Sequence, residues 1–260
     1  MRKAFQAAVT ALTCLLLFFV CFPPMVLWPT RKNRLRWAVR FSRWWSRSIL
    51  WSGGVKLEVT GREHIATCPA VFTFNHSSTL DFVANAALAP EHALVFGKAE
   101  LSRVPIVGWI WWLSGHPMIR RSARDQWQAV LDGVAVRLAT GEHTTIVAPE
   151  GTRNREGGLL PFKKGPVHLA IQGRCPIVPW VLENCPERLG PGGLTAGPLR
   201  VRILPPIPTD GWRQETIDAH VEALRGVYLR ALGLADAPAR PAPATPPPTP
   251  VPARIRPPVA

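Results

Sequence analysis

Between Ala4 and Leu27 the chain carries no charged residue and is dominated by Leu, Phe, Val and Ala. That run is long enough for a helix to cross a hydrocarbon layer of about 30 Å. Pro23 and Pro24 are expected to kink or end such a helix early. Arg2-Lys3 ahead of an apolar run also resembles a secretory signal. Three readings stand: an uncleaved anchor, which length and flanks favour, a re-entrant hairpin, or a cleaved signal. Further on, Arg36, Arg40, Arg43 and Arg47 recur at helical spacing beside a stripe of Trp37, Phe41 and Trp44, widened by Trp45 and Ile49. This pattern predicts an interfacial helix over residues 31–52, with arginines toward anionic headgroups and tryptophans at the boundary with the acyl chains. A helix packed on the domain is the alternative, since Trp is also a common packing residue.

After Gly53-Gly54 the period shortens. Strands are predicted at Val55 to Thr60, Ala70 to Phe74, Ala93 to Phe96, Thr144 to Val147 and Ile177 to Val181. Helices are predicted at Asp81 to Leu88, Arg124 to Thr140 (closed by Gly141), Pro166 to Gln172 and Gln214 to Leu232. Strands alternating with helices indicate an α/β domain with a largely buried sheet. The apolar run Val104 to Leu113, with three tryptophans, suits an apolar groove or bilayer contact, and equally a core helix. Beyond Leu234 the composition collapses to Pro, Ala and Thr, which predicts disorder. The boundaries are therefore an anchor at 1–30, the basic Trp-rich helix at 31–52, one catalytic domain at 53–234 and a tail at 235–260.

Charge sharpens this picture. The net charge is +14, and residues 1 to 57 hold ten Lys or Arg with no Asp or Glu. An excess so placed selects an anionic partner near the N-terminus. Its position beside an apolar segment favours membrane phospholipid over nucleic acid, which the pI of about 10.9 alone would suggest. The heavier basic flank follows the apolar run, which by the positive-inside rule leaves the domain on the cytoplasmic face. Five cysteines without a C-x-x-C pair indicate neither a zinc site nor a disulfide framework.

Two segments carry candidate chemistry, each directly after a strand-like run. Asn75-His76-Ser77-Ser78-Thr79-Leu80-Asp81 places a His five residues before an Asp at a strand-to-helix turn, where the carboxylate can fold back onto the imidazole and make it a general base. Ala148-Pro149-Glu150-Gly151-Thr152-Arg153-Asn154 offers an Arg with Gly, Thr and backbone donors, the groups a phosphate monoester needs. Read alone, the first is an ordinary satisfied His and the second a Pro-Gly turn with a solvated ion pair.

Together with two further blocks, these segments resemble the PlsC-like 1-acylglycerol-3-phosphate (lysophosphatidic acid) acyltransferases. The blocks run in order through Asn75-His76 to Asp81, Gly97-Lys98-Ala99-Glu100-Leu101 to Arg121, Glu150-Gly151-Thr152-Arg153, and Cys175-Pro176-Ile177-Val178-Pro179-Trp180. The resemblance spans roughly residues 53 to 232. It implies a single α/β glycerolipid-acyltransferase-like domain with a mixed, largely buried sheet flanked by helices. His76 is implied as base with Asp81 as its orienting partner, and Glu150, Gly151, Thr152 and Arg153 in acceptor recognition. Lys98 and Arg121 add positive charge near the phosphate. The implied reaction moves an acyl group from acyl-CoA or acyl carrier protein, as co-substrate, to the free hydroxyl of a lysophosphatidic acid, with no cofactor and no metal.

The sequence departs from that pattern at Ala148, Arg120 and Asn154, which bears on the acceptor and keeps other lyso-lipids open, for example a lyso-ornithine lipid. A serine hydrolase using Ser77 or Ser78 lacks a G-x-S-x-G elbow. A non-catalytic lipid-binding scaffold would be expected to have lost His76, Asp81 or Glu150, and all three are present.

Overall fold

A computed structural model of the chain describes residues 2–27, 30–103, 107–119, 124–154 and 156–234. The elements are α1 (Arg2–Leu27), α2 (Arg31–Ser52), β1 (Val55–Thr60), β2 (Ala70–Phe74), α3 (Leu80–Leu88), β3 (Ala93–Val95), β4 (Gly97–Lys98), α4 (Val107–Ser114), β5 (Met118–Ile119), α5 (Arg124–Ala139), β6 (Thr144–Val147), α6 (Gly165–Gly173), β7 (Ile177–Leu182), α7 (Cys185–Arg188), β8 (Leu189–Gly190), β9 (Gly193–Leu194), β10 (Gly197–Ile203) and α8 (Ile217–Ala231).

Six strands form one mixed sheet in the order β1-β10-β7-β2-β6-β3. The pairings β7 with β2, β2 with β6 and β6 with β3 are parallel, and β10 runs antiparallel to β7. The strands at the centre are covered on both faces, and β7 is buried at every position. Strand β10 was not among the predicted strands, although Leu199, Val201 and Ile203 alternate with Arg200 and Arg202 and put the apolar set inward. The predicted C-terminal helix begins instead as a 3-10 turn, Gln214–Thr216, which leads into α8.

Helix α1 continues through Pro23 and Pro24 to Leu27, so the expected early break is absent. It packs along α2 and also meets α4. Gln6 pins its start by exchanging two hydrogen bonds with the Leu194 backbone, from Nε2 to the carbonyl at 3.3 Å and from the amide to Oε1 at 3.1 Å. The segment Ala4–Pro24 has a mean hydropathy of 2.2 and is the one stretch among the described residues long and apolar enough to cross a membrane.

Helix α2 occupies the predicted span and is more deeply embedded than a purely interfacial helix. Leu35, Val39 and Leu50 join the main core, while Ala38 and Phe41 form a second cluster with Ile110. Three of its arginines are taken up by the domain: Arg36 and Arg40 grip the two oxygens of Glu91, and Arg43 Nε donates to the Ala89 carbonyl at 2.7 Å. On α4, Ile110 is buried while Trp109 and Trp112 stand 53% and 76% exposed, so this helix is a surface element with one packed face. The tail 235–260 lies outside the described residues.

Candidate active site

Parallel neighbours in a sheet deliver the loops that follow them to one edge. His76 comes two residues after β2, Glu150 three residues after β6, and the end of β7 lies beside them. Asn75 ties two of these ends together, since its side chain donates to the Leu182 carbonyl and accepts from the Leu182 amide, both at 2.8 Å. From below, Tyr228 on α8 shares a 2.9 Å hydrogen bond with Thr73 on β2, which fixes the strand against that helix. Neither contact was anticipated from the sequence, because a contact across 107 or 155 residues leaves no local pattern.

Asp81 lies in the first turn of α3 and is fully buried. Its Oδ2 reaches back to accept three hydrogen bonds, from His76 Nδ1 at 2.9 Å, the Ser77 amide at 2.6 Å and the Ser78 amide at 2.7 Å. Facing a carboxylate, Nδ1 carries the imidazole proton, and the lone pair is left on Nε2. The His76 side chain is 22% exposed against 0% for Asp81, so the pair is a buried anchor with an accessible imidazole. Phe74 closes one side, its ring edge-on to His76 at 5.5 Å. Cys185 is fully buried, and burial first and Asp81 second push its thiol far up, which leaves it protonated and inert.

Glu150, expected in acceptor recognition, lies against the histidine loop. It is 2% exposed, and one oxygen accepts from the His76 amide at 2.7 Å while the other accepts from the Leu160 amide at 2.9 Å. A carboxylate so used braces the histidine loop. Burial raises its pKa, against the opposing pull of those two amides. The loops are cross-linked once more by the Asn154 amide, which donates to the His76 carbonyl at 2.8 Å.

Arg153 is exposed, and its Nη1 donates to Thr79 Oγ1 at 2.5 Å, so a guanidinium stands at the start of α3 on the same loop cluster as His76. Gly151 adopts φ +69°, and a Cβ there would find its nearest atom, Lys163 Cγ, at 3.5 Å. Glycine is therefore required by the left-handed backbone and not by crowding. Thr152 is half-buried between them. Lys98 is exposed on β4, beyond the end of β3 and thus on the same edge; β4 is held by pairing with β5. Arg121 lies outside the described residues. Among the described residues, no group of three or more His, Cys, Asp or Glu forms a potential metal site.

This arrangement supplies an oriented base beside a cation at an open edge, suited to deprotonating a hydroxyl whose molecule also bears an anion. A family model described as Acyltransferase matches residues 56–183. The chain is 36% identical to a 1-acyl-sn-glycerol-3-phosphate acyltransferase of Limnanthes douglasii over 195 residues, covering 73% of this chain and 68% of the relative. It is 36% identical to one of Saccharomyces cerevisiae over 176 residues, covering 66% and 58% respectively. The fold matches the crystal structure of the 1-acyl-sn-glycerophosphate (LPA) acyltransferase PlsC from Thermotoga maritima with a TM-score of 0.64 at 22% identity, over 92% of this chain and 100% of that one.

Proposed function

The chain belongs to the acyltransferase family of the 1-acyl-sn-glycerol-3-phosphate acyltransferases, and on that premise we propose a mechanism in which His76 is the general base of acyl transfer to a lysophosphatidic acid. It is a 1-acylglycerol-3-phosphate O-acyltransferase. The acceptor hydroxyl donates to His76 Nε2 and loses its proton as the oxygen attacks the carbonyl carbon of an acyl thioester. The tetrahedral oxyanion then collapses, the C–S bond breaks, and the leaving thiolate takes the proton from the imidazolium. An ester and a free thiol result, with no acyl-enzyme. General-base catalysis of this kind contributes about 10² to 10⁴ in rate, and positioning supplies more.

Asp81 holds the tautomer and favours the imidazolium that forms during attack. Arg153 takes the acceptor phosphate, with the Gly151-Thr152 backbone beside it and Lys98 and Arg121 adding charge. Glu150 serves as a positioning residue through the His76 amide. The donor is acyl-CoA or acyl carrier protein, whose phosphopantetheine arm suits a basic face. We further read residues 1–30 as a membrane anchor, 31–52 as the helix at its interface and 53–234 as the catalytic domain on the cytoplasmic face. The 2.9 Å contact between His76 Nδ1 and a fully buried Asp81 is the observation on which this reading rests.

The test is phosphatidic acid formation from lysophosphatidic acid with acyl-CoA or acyl carrier protein, comparing wild type with H76A in detergent. Product should fall at least 10²-fold in H76A while the far-ultraviolet spectrum and membrane association persist. Turnover retained by H76A would remove the imidazole from the role of base.

A further inference from the structure

At the opposite edge of the sheet from His76, where β2, β3 and β6 begin, lies a cavity of about 470 Å³ walled by Arg43 and Arg47 of α2, by Arg62 and Cys68, and by Glu91 and His92. The path from Cys68 to His76 follows the length of β2, roughly 20 Å or more at strand rise, so this cavity is separate from the acyl-transfer site. Its charge is not balanced. Glu91 is the acidic residue in its wall, and both of its oxygens are occupied by Arg36 and Arg40. The nearby Glu142 is paired with Lys32 at 3.0 Å. Among the described residues, Arg47 and Arg62 form no ion pair with a carboxylate, while Arg43 donates to the Ala89 carbonyl and feels Glu91 at longer range. Burial, and then the charges of Arg36 and Lys32, hold His92 down and neutral, so it offers a hydrogen-bonding imidazole without adding charge.

The rest of α2 indicates what fills it. At 100° per residue, Trp44 and Trp51 project between the arginine stripe on one side and the Trp37-Phe41 cluster against α1 and α4 on the other. Trp44 and Trp51 are 43% and 75% exposed, and α1 beyond them exposes Phe5, Leu12, Leu15, Leu16, Phe19 and Val20. Moving around the helix therefore gives apolar surface, then exposed tryptophan, then the arginine stripe, the order in which a monolayer presents acyl chain, boundary and phosphate. We infer that this cavity is a second phosphate-binding site, occupied by the headgroup of an anionic phospholipid at the rim of the membrane and distinct from the acceptor's own site.

Binding is read by co-sedimentation with vesicles of phosphatidylcholine alone and of phosphatidylcholine mixed with phosphatidylglycerol, which is not an acyl acceptor. The R47Q/R62Q variant should keep wild-type binding to the neutral vesicles and lose the gain from the anionic lipid, roughly fivefold for each arginine removed. The charge-matched variant K56Q/R213Q, whose residues lie outside the cavity, should keep most of that gain; an equal loss in both variants would overturn a built site in favour of diffuse surface charge. Cys68 gives a readout on the unaltered protein, because it is exposed at the cavity wall while Cys175 and Cys185 are buried. Its alkylation by a polar maleimide, followed by peptide mass, should slow with anionic vesicles and not with neutral ones, and unchanged alkylation would refute occupancy. Inorganic phosphate tested against chloride at equal ionic strength separates the sources: protection of Cys68 by free phosphate, matched by displacement from anionic vesicles, would keep the phosphate site and overturn the lipid as its occupant. None of these readouts depends on acyl transfer, so an inactive enzyme leaves the inference standing or falling on its own.

Discussion

Around His76 each hydrogen bond has a distinct consequence for chemistry. The imidazole is held by Asp81, the amide by Glu150 and the carbonyl by the Asn154 amide, so two segments fix one residue at three points. Glu150 separates two readings cleanly. Replacing it by Gln turns one acceptor into a donor and leaves either the His76 or the Leu160 amide unpaired in a buried place, which costs about 1 to 3 kcal/mol of stability. Activity of E150Q should fall in kcat with the acceptor KM little changed, whereas a residue that touches the acceptor would raise KM. The stability difference should also depend on pH. Because burial raises the Glu150 pKa in the folded state, the native protein binds this proton more tightly than the unfolded chain, and its contribution to wild-type stability declines as pH rises from 4.5 through the raised value. The gap between wild type and E150Q, measured by urea unfolding, should narrow over that window. Arg153 carries the opposite expectation: R153A should raise the acceptor KM about 10-fold or more, the loss of a charge-assisted contact, with the acyl-donor KM unmoved. A change confined to the donor would reassign the residue.

At the level of elements, the short β4–β5 pair presents Lys98, and a histidine behind it sets its tolerance of acid. His116 Nδ1 accepts from the Val95 amide at 3.2 Å, and its ring lies 4.8 Å from Trp111. Burial first and the charge of Arg137 second lower its pKa from 6.5 to about 3. The sign follows directly: the unfolded chain takes up a proton near pH 6.5 that the native state refuses, so the stabilisation is complete above 6.5 and is lost as pH falls toward about 3. His92 and His143 are lowered too and add to the same slope. In H116N, where an amide oxygen still accepts from Val95, urea midpoints should fall less steeply between pH 6 and 4 than in wild type, as checked by fluorescence at each pH. Equal slopes would mean that His116 titrates freely.

For the whole molecule, α1 is both the longest apolar run and a packed element. Phe22 joins the cluster of Ala38, Phe41 and Ile110, and Gln6 is bonded to the β9 backbone. Removing residues 2–27 should release the protein from the membrane fraction while baring Trp37, Phe41 and Trp45, so that the shortened chain self-associates unless detergent is present. Size-exclusion chromatography with and without detergent checks this, and a monodisperse monomer in plain buffer would show that α1 contributes nothing to the packing of α2.

Patterns that repeat within one element were readable from the chain alone: the apolar run of α1, the strands Val55–Thr60, Ala70–Phe74 and Thr144–Val147 at their observed limits, and the His76-to-Asp81 spacing, which one turn of backbone closes into a hydrogen bond. Alternation in Leu199, Val201 and Ile203 carries the same kind of local signal for β10. What the chain could not disclose were the pairings between distant segments. Whether Glu150 meets a substrate or the His76 amide depends on β2 and β6 lying side by side, 74 residues apart in sequence. The arginines of α2 look alike at helical spacing, and only the position of Glu91 decides which are neutralised and which remain for an anion. A residue's type and local period are properties of its own segment, but its partner and its exposure belong to the packing, which long-range burial selects after the local pattern has been satisfied.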